Sequence, residues 1–284
     1  MMPLTFPGRV DRFTIFRQLD IRHTPVEAQV LREQLIDLMR AIVDSSPQTD
    51  PVIDIRLSFD FVALLAFQRS LPDEWPIVAP MFNSEINDPE ELRDTGLILE
   101  LIGPNGKIAH ICARVYWLIE DLFISASALK PFPYGRYPGQ HPEEFMLMPD
   151  AAKQIRGPMV WQGALFCRTH LRGTKLGYQL TRLLHAVNIA RWPHAQYICG
   201  AVAMPNTGRW GFHGMGFDQM SAGIHWHRPG FPRLIEADVL THMAVVDWWR
   251  RVLRAHEVGA TAADGVPNHP DSATIVSAKR VAAE

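Results

Sequence analysis

Residues 159–191 read MVWQGALFCRTHLRGTKLGYQLTRLLHAVNIAR and are the most informative part of the sequence. Its first part, Met159–Cys167, is apolar and predicts a buried strand. A turn containing two glycines follows. From Leu176 onward, apolar residues recur every three or four positions until Trp192, next to a proline, and this pattern predicts a helix. Residues 159–191 therefore predict a strand, a glycine-rich turn and a helix, in that order.

The turn inside this unit has the composition of an anion-binding loop. A helix that starts directly after a glycine-rich turn leaves backbone N–H donors free, and its dipole favours a phosphate or a pyrophosphate there. Arg172 and Lys175 add positive charge at the same place. Neither GxxxxGK[ST] nor GxGxxG is present, so the two best-known nucleotide loops are excluded. A turn that serves only the fold remains the alternative.

Periodicity predicts the remaining elements. An Asn-Gly pair at 105–106 marks a tight hairpin. The predicted strands are Phe13–Leu19, Leu97–Ile102, Lys107–Ile119, Tyr197–Ala203, Met220–Trp226 and Arg233–Met243. The predicted helices run from Pro25 to about Val43, over Phe59–Phe67 and over Val245–Arg254. A proline-rich irregular stretch follows the second of these helices, and Phe132–Pro142 is predicted to be a long loop.

Composition restricts the class of protein. The 284 residues are 47% hydrophobic and 20% charged, enough for a sizeable core. The net charge of -2 argues against a nucleic-acid partner, since such proteins are usually basic. The three cysteines form no CxxC pair and predict neither a disulfide framework nor a zinc site. Because the sequence has no signal peptide and no apolar run long enough to span a membrane, we expect a cytoplasmic protein without a membrane partner.

Two short motifs resemble signatures of the GNAT superfamily of acyl-CoA-dependent N-acyltransferases. Arg172–Gly177 is similar to the acyl-CoA loop, written [QR]xxGx[GA]. Asn206, followed by Gly208–Met215 and Gly216-Phe217, is similar to the second signature, in which an Asn precedes a short helix that ends in Gly-Phe. The order of predicted elements over Leu97–Met243 also agrees with that superfamily.

The resemblance implies an α/β fold, a GNAT-like mixed and mostly antiparallel central sheet flanked by helices. Residues 1–96 would be a helical and proline-rich N-terminal elaboration of a single domain covering residues 1–256. From Gly259 the chain contains Ala, Gly, Pro, Ser and Asp but no aromatic residue, and this composition predicts a disordered tail over residues 257–284.

The resemblance also implies the roles of individual residues. Phe166 and Cys167 would offer backbone groups to the acyl carbonyl and the pantetheine arm, and Asn206 would contact the pantetheine region. The backbone amides that would hold the pyrophosphate are those of Arg172, Gly173, Thr174, Lys175, Leu176 and Gly177. The co-substrate would be acetyl-CoA or another acyl-CoA, without a metal, and a small-molecule or protein amine would attack the thioester directly.

The sequence departs from the superfamily pattern at two places. Lys175 replaces the central glycine of the loop; its amide still donates, and its ammonium can reach the phosphates. Phe212 aligns approximately with the tyrosine that many members use as general acid, and Phe carries no acidic proton. The neighbouring His213, which titrates near neutrality, is the candidate catalytic acid or base, with a packing or surface histidine as the alternative.

Several other residues allow both a chemical and a structural interpretation. His225 and His227 have metal-ligand spacing but no third ligand. Cys167 is either a nucleophile or a core residue. Glu120-Asp121 could deprotonate an amine through water or could be a solvated strand end. The candidates for an acceptor pocket in the long loop are Tyr134, Arg136 and Tyr137. Trp248-Trp249 would pack the last helix on the sheet or on a partner, so a homodimer is possible.

Two functional hypotheses remain open from the sequence. The first is an N-acyltransferase, with acetyl as the default acyl group and a long acyl chain as a variant. The second is a non-catalytic CoA-binding module with a regulatory or interaction role, which the missing tyrosine and the substituted loop glycine keep open.

Overall fold

The computed structural model describes residues 13–75, 78–127, 145–203, 215–227 and 235–263. The strands are β1 (Asp54–Ser58), β2 (Gly96–Gly103), β3 (Gly106–Leu118), β4 (Phe145–Leu147), β5 (Gly157–Cys167), β6 (Tyr197–Ala203), β7 (Gln219–His227) and β8 (Ile235–Ala244). The helices are α1 (Ile15–Gln18), α2 (Pro25–Ser45), α3 (Phe61–Arg69), α4 (Pro89–Thr95), α5 (Leu122–Ser127), α6 (Leu176–Arg191) and α7 (Val245–Ala263). Short 3-10 turns lie at Pro80–Phe82, Asp150–Gln154 and Thr169–Leu171.

The strands form one eight-stranded sheet in the order β1-β2-β3-β5-β6-β8-β7-β4. Every described pair is antiparallel except β5 with β6, which is parallel. Alternate residues of β2 enter different cores: Leu97 and Leu99 pack with α2 and α6, whereas Ile98 packs with α3 and α4. Helices therefore cover both faces, and the predicted mixed, mostly antiparallel sheet flanked by helices is confirmed.

The elements around the quoted stretch agree with the sequence prediction to within two residues at each boundary. The hairpin of β2 and β3 turns at Gly106, whose φ of 106° is readily adopted only by glycine. The parallel neighbour β6 follows α6 after a short connection, as a right-handed strand–helix–strand unit requires.

The first predicted strand is wrong. Phe13–Leu19 contains the short helix α1, and it contacts the edge strand β1 through side chains rather than a ladder. The side-chain amide of Gln18 donates to the carbonyl of Leu57 at 2.9 Å and accepts from its N–H at 2.7 Å. Gln18 thus satisfies the backbone groups of Leu57 that a neighbouring strand would have paired. Alternating hydrophobicity alone could not distinguish a paired strand from this short helix.

Other differences concern elements that the sequence analysis left out. Strands β1 and β4 and helices α4 and α5 were not predicted, although Asp88 caps α4 and Pro89 occupies its first turn, a recognisable start signal. The last helix continues to Ala263 and so includes part of the predicted tail. The predicted loop Phe132–Pro142 and residues 264–284 lie outside the described residues.

An extra residue in β5 changes the course of that strand. Between two registers with β3, His110–Phe166 and Cys112–Gly163, β5 advances three residues while β3 advances two. Ala164 lies in this bulge and has a φ of 51°, which L-residues seldom adopt. A bulge bends its strand and increases the local twist. The pairing of β5 with β6 ends at Gln162 with Gly200, so beyond the bulge the two strands are no longer joined.

This strain can be tested at Ala164. We expect Ala164→Gly to leave the free energy of unfolding within about 0.5 kcal/mol of the wild type, because relief of the positive φ offsets the greater freedom of glycine in the unfolded chain. The control is Ala113→Gly on β3, fully buried in ordinary strand conformation, which should cost about 1 kcal/mol. Urea unfolding measures both, and an equal loss in the two variants would contradict the strained bulge.

Candidate functional site

A cleft of about 720 Å³ lies at the end of β5, beyond the point where its pairing with β6 stops. One wall comes from the end of β5 and the loop after it, and the other from the segment that follows α3. The lining residues are Glu74, Trp75, Leu165, Phe166, Cys167, Leu171, Arg172, Gly173, Thr174, Lys175, Gly177 and Tyr178.

The loop between β5 and α6 presents backbone N–H groups to this cleft. Gly173 has a φ of 88°, and Lys175, the N-cap of α6, provides no side-chain capping bond. The first backbone hydrogen bond into the helix is donated by Gln179 to the carbonyl of Lys175, so the amides before it have no intrahelical acceptor. The amide of Leu176 donates to the hydroxyl of Thr174 at 3.3 Å, and the amide of Thr174 donates to the carbonyl of Leu171 at 3.3 Å. Among the described residues, the amides of Gly173, Lys175 and Gly177 are left as donors at the start of the helix.

Glycine at position 177 keeps this approach open. A Cβ built there would contact Leu165 at 3.6 Å, an ordinary packing distance, so the fold itself accepts alanine. Gly177 lines the cleft without a side chain, so a ligand there could approach its backbone closely.

The loop is fastened to the opposite wall through Glu74. Its carboxylate accepts from the amide and the hydroxyl of Thr169, at 2.9 and 3.0 Å, and pairs with Arg168 at 3.2 Å. The amide of Thr169, followed by its hydroxyl and Arg168, lowers the pKa of the Glu74 carboxyl. These contacts fix the distance across the cleft and neutralise an acidic group that would otherwise repel an anion.

The side chain of Arg172 stabilises the walls of the cleft, a structural role that the sequence did not indicate. Its guanidinium donates to the backbone carbonyl of Glu74 and, at 3.2 Å, to that of Cys167. It therefore links both walls, while its charge stays at the cleft. Lys175 is exposed at the rim and forms no ion pair within the part of the chain that the structure describes.

The inner part of the cleft is apolar. Trp75 and Phe166 are almost fully buried, with ring centres 5.6 Å apart. Behind them lies His110, whose ring centre is 4.5 Å from that of Trp75 and 5.3 Å from that of Phe166. Burial, and to a smaller extent Lys107, holds the pKa of His110 well below its usual range, so this imidazole is neutral. The cleft thus combines an apolar interior with a basic rim.

Cys167 lines the cleft but is poorly suited to act as a nucleophile. Burial raises the pKa of its thiol to about 11, against a smaller opposing effect of Arg172. The thiol is therefore protonated at neutral pH, and the thiolate is the reactive form.

The structure brings most of the predicted cofactor residues together. Phe166, Cys167, Arg172, Gly173, Thr174, Lys175 and Gly177 all line the cleft. Leu176 is buried in the core beneath it. Asn206, Phe212 and His213, together with the candidates of the long loop, lie outside the described residues, so their roles stay predictions. Sequence analysis missed Glu74 and Trp75, because their position opposite the loop comes only from tertiary packing.

The other candidates lie elsewhere. Asp121 accepts from the amide of Ile124 at 3.0 Å and pairs with Arg156 at 3.2 Å, at the end of β3 opposite to the cleft. It caps α5 and cannot deprotonate an acceptor there. His225 and His227 lie on β7, and among the described residues no three His, Cys, Asp or Glu side chains are grouped to hold a metal. Trp248 packs in the core formed with α2 and α6.

None of the helices in the described ranges is long and apolar enough to cross a membrane.

Comparisons with known proteins concern the fold. No protein-family model and no curated protein matches the chain. Three solved structures that match are a polyamine N-acetyltransferase from Drosophila melanogaster (11% identity, 67% of this chain and 100% of that chain, TM-score 0.37), a ribosomal-protein-alanine N-acetyltransferase from Brucella melitensis (13%, 67% and 98%, 0.35) and an N-acyl amino acid synthase from uncultured soil microbes (10%, 81% and 91%, 0.31).

A further match, described as an acetyltransferase of the GNAT family from Desulfovibrio desulfuricans, has 10% identity, covers 67% of this chain and 98% of that chain, and has a TM-score of 0.33.

The contacts of Glu74 make the loop sensitive to pH. Its lowered pKa means that the carboxylate stabilises the folded state above its ordinary pKa of 4.5, and that this contribution is lost as the pH falls through the lowered value. We expect Glu74→Gln to reduce stability at neutral pH and to make the Thr169 amide exchange several-fold faster, with the stability difference disappearing in acid.

The matched control is Glu85→Gln, which removes an exposed ion pair with Arg69 at 2.6 Å. That variant should change stability little at any pH. Hydrogen exchange by NMR and urea unfolding at several pH values measure both effects. Unchanged exchange of Thr169 in Glu74→Gln would show that the carboxylate does not hold the loop.

Proposed function

We propose that the protein is an acyl-CoA-dependent N-acyltransferase, with the cleft at the end of β5 as the site of both cofactor binding and chemistry. The proposal rests on one observation. The N-terminus of α6, whose N-cap residue Lys175 forms no side-chain capping bond, lies at a cleft beyond the point where the pairing of β5 with β6 ends. A helix N-terminus beside an apolar cleft suits a ligand with an extended arm attached to a pyrophosphate, and CoA has this structure.

The residues present fit each part of that ligand. The amides of Gly173, Lys175 and Gly177 and the ammonium of Lys175 would hold the pyrophosphate, since oriented N–H groups at a helix start favour anions. The amides of Thr174 and Leu176, also predicted to take part, donate within the loop in this structure. The unpaired edge of β5 at Leu165–Cys167 would bind the pantetheine arm through backbone hydrogen bonds, and Asn206 is proposed to contact the same region. Trp75 and Phe166 would enclose the acyl group and exclude water.

The proposed chemistry is direct transfer within a ternary complex. A neutral amine attacks the thioester carbonyl, a C–N bond forms, the C–S bond breaks, and the proton lost by the amine replaces the acyl group on the thiolate. A backbone N–H at the end of β5 would stabilise the oxyanion. His213 is proposed as the acid or base because imidazole titrates near neutrality. Acetyl is the default acyl group and a longer chain the variant.

A second candidate is a GNAT-like module that binds CoA without turnover. Its support is in the sequence: Phe212 stands near the position where many members of the superfamily carry a tyrosine. The two candidates share the cofactor cleft and differ only in chemistry, so a panel of amines assayed for thiol release distinguishes them.

Cofactor binding is tested by stability and by Gly177. Acetyl-CoA at about 100 times its dissociation constant should add about 2.7 kcal/mol to the free energy of unfolding. Gly177→Val should weaken CoA binding at least tenfold in calorimetry, because its side chain covers the amide, while the fold persists. Gly177→Ala is the control for packing, and its free energy of unfolding should be no lower than that of the wild type. Wild-type affinity in Gly177→Val would refute the loop assignment.

Direct attack is tested at Cys167. Because its thiol is protonated at neutral pH, we expect Cys167→Ala to retain turnover within about threefold, and mass spectrometry to detect no acylated protein in the wild type. A loss of turnover by a factor of 1,000 or more, typical of a removed nucleophile, would instead indicate a covalent mechanism.

A further inference from the structure

A second cavity, of about 240 Å³, lies between helices α2, α6 and α7. It shares no described lining residue with the acyl-CoA cleft. Its lining residues are Gln34, Leu38, Arg182, His185, Gly216, Trp248, Arg251, Val252 and Ala255, none of which is acidic. The cavity is therefore a separate and basic one.

Two guanidinium groups face this cavity. Arg182 on α6 forms no ion pair with any residue that the structure describes. Arg251 on α7 contacts Asp218 through a single nitrogen, at 2.6 Å, so the other donors of its guanidinium remain available. Asp218 already offsets the charge of Arg251, whereas Arg182 has no acidic partner among the described residues, so an anion in the cavity would supply one.

A buried imidazole adds a third donor. His185 is 1% exposed, and its Nε2 lies 2.9 Å from Nε2 of Gln162. The Oε1 of Gln162 accepts from Asn188 at 3.4 Å, and this contact assigns the other end of its amide as the donor. Nε2 of His185 is then an acceptor, and the proton of the neutral ring lies on Nδ1.

Nδ1 of His185 has no hydrogen-bond partner among the described residues, and it lies next to Gly216 in the cavity wall. Burial first, and then the charges of Arg182 and Arg251, lower the pKa of His185 to about 3, so the ring stays a neutral N–H donor at physiological pH. Its Nδ1 is thus an N–H donor in the wall of a cavity that two arginines also line, which is a reason to look for an anionic ligand here.

Gly216 keeps the space in front of these groups open. Its φ is 84°, and a Cβ there would lie 3.3 Å from Nδ1 of His185 and equally close to Cγ of Arg182. A side chain at this position would therefore be strained and would crowd Nδ1 of His185 and the aliphatic stem of Arg182.

We propose that this cavity binds a small oxyanion, a phosphate or a carboxylate, held by Arg182, Arg251 and Nδ1 of His185. Guanidinium groups match the planar arrangement of carboxylate and phosphate oxygens. The volume is below the range of about 300–1,000 Å³ that is usual for drug-sized ligands, so the ligand has few heavy atoms beyond the anionic group. Trp248 provides an apolar wall for them.

The test is calorimetric titration of the full chain with inorganic phosphate and, separately, with succinate, in a chloride buffer. Arg182→Met keeps the aliphatic stem and removes the charge, and Arg251→Met is a second variant in case the first one does not fold. The control is Arg250→Met on the same helix, whose guanidinium is exposed and pairs with Asp247 at 2.8 Å. We expect binding to weaken roughly ten- to hundredfold in the two cavity variants and to stay unchanged in the control.

Phosphate could also enter the loop of the acyl-CoA cleft, so Gly177→Val is titrated as well. Binding that persists in Gly177→Val and is lost in Arg182→Met supports the cavity site, whether phosphate or succinate is the tighter ligand. Binding that is lost in Gly177→Val and persists in Arg182→Met assigns the anion to the loop and overturns the proposal. Absence of binding of both anions to the wild-type chain overturns it too.

Discussion

The parallel pairing of β5 with β6 ends at Gln162 with Gly200, next to the bulge at Ala164, and the candidate cleft lies at the end of β5 beyond it. Past that point the edge of β5 has no partner strand among the described residues, although the carbonyl of Cys167 accepts from Arg172. L-residues seldom adopt the positive φ of Ala164, and such backbone outliers cluster at functional sites. The proposed function of the cleft depends on this open edge.

Helix α6 connects this opening to the rest of the molecule. Its N-terminus lies at the cleft, and its middle lines the second cavity through Arg182 and His185. Gln162, in the last paired position of β5, contacts His185 directly. Both regions with basic lining residues therefore include part of one helix. The proposed binding of an anion at each depends on local positive charge and not on the net charge of the chain, which is -2.

The features that could be predicted from sequence are local ones. Strand, glycine turn and helix between residues 157 and 191 follow from patterns within that stretch, as does the hairpin at Gly106. Glu74 and Trp75 face the loop only because distant segments pack together, and no periodicity marks them. Gln18 shows the same limit. The alternating sequence around it predicted a strand, whereas in the structure its side chain alone pairs with the backbone of Leu57. The donor in the second cavity likewise depends on a tautomer fixed by Gln162.

The most direct test of the central claim is a crystal structure of the protein with CoA. We predict that the pantetheine arm lies along the edge of β5 beyond its pairing with β6, and that the pyrophosphate oxygens lie within hydrogen-bond distance of the amides of Gly173, Lys175 and Gly177. CoA bound elsewhere, or bound with these amides unoccupied, would contradict it.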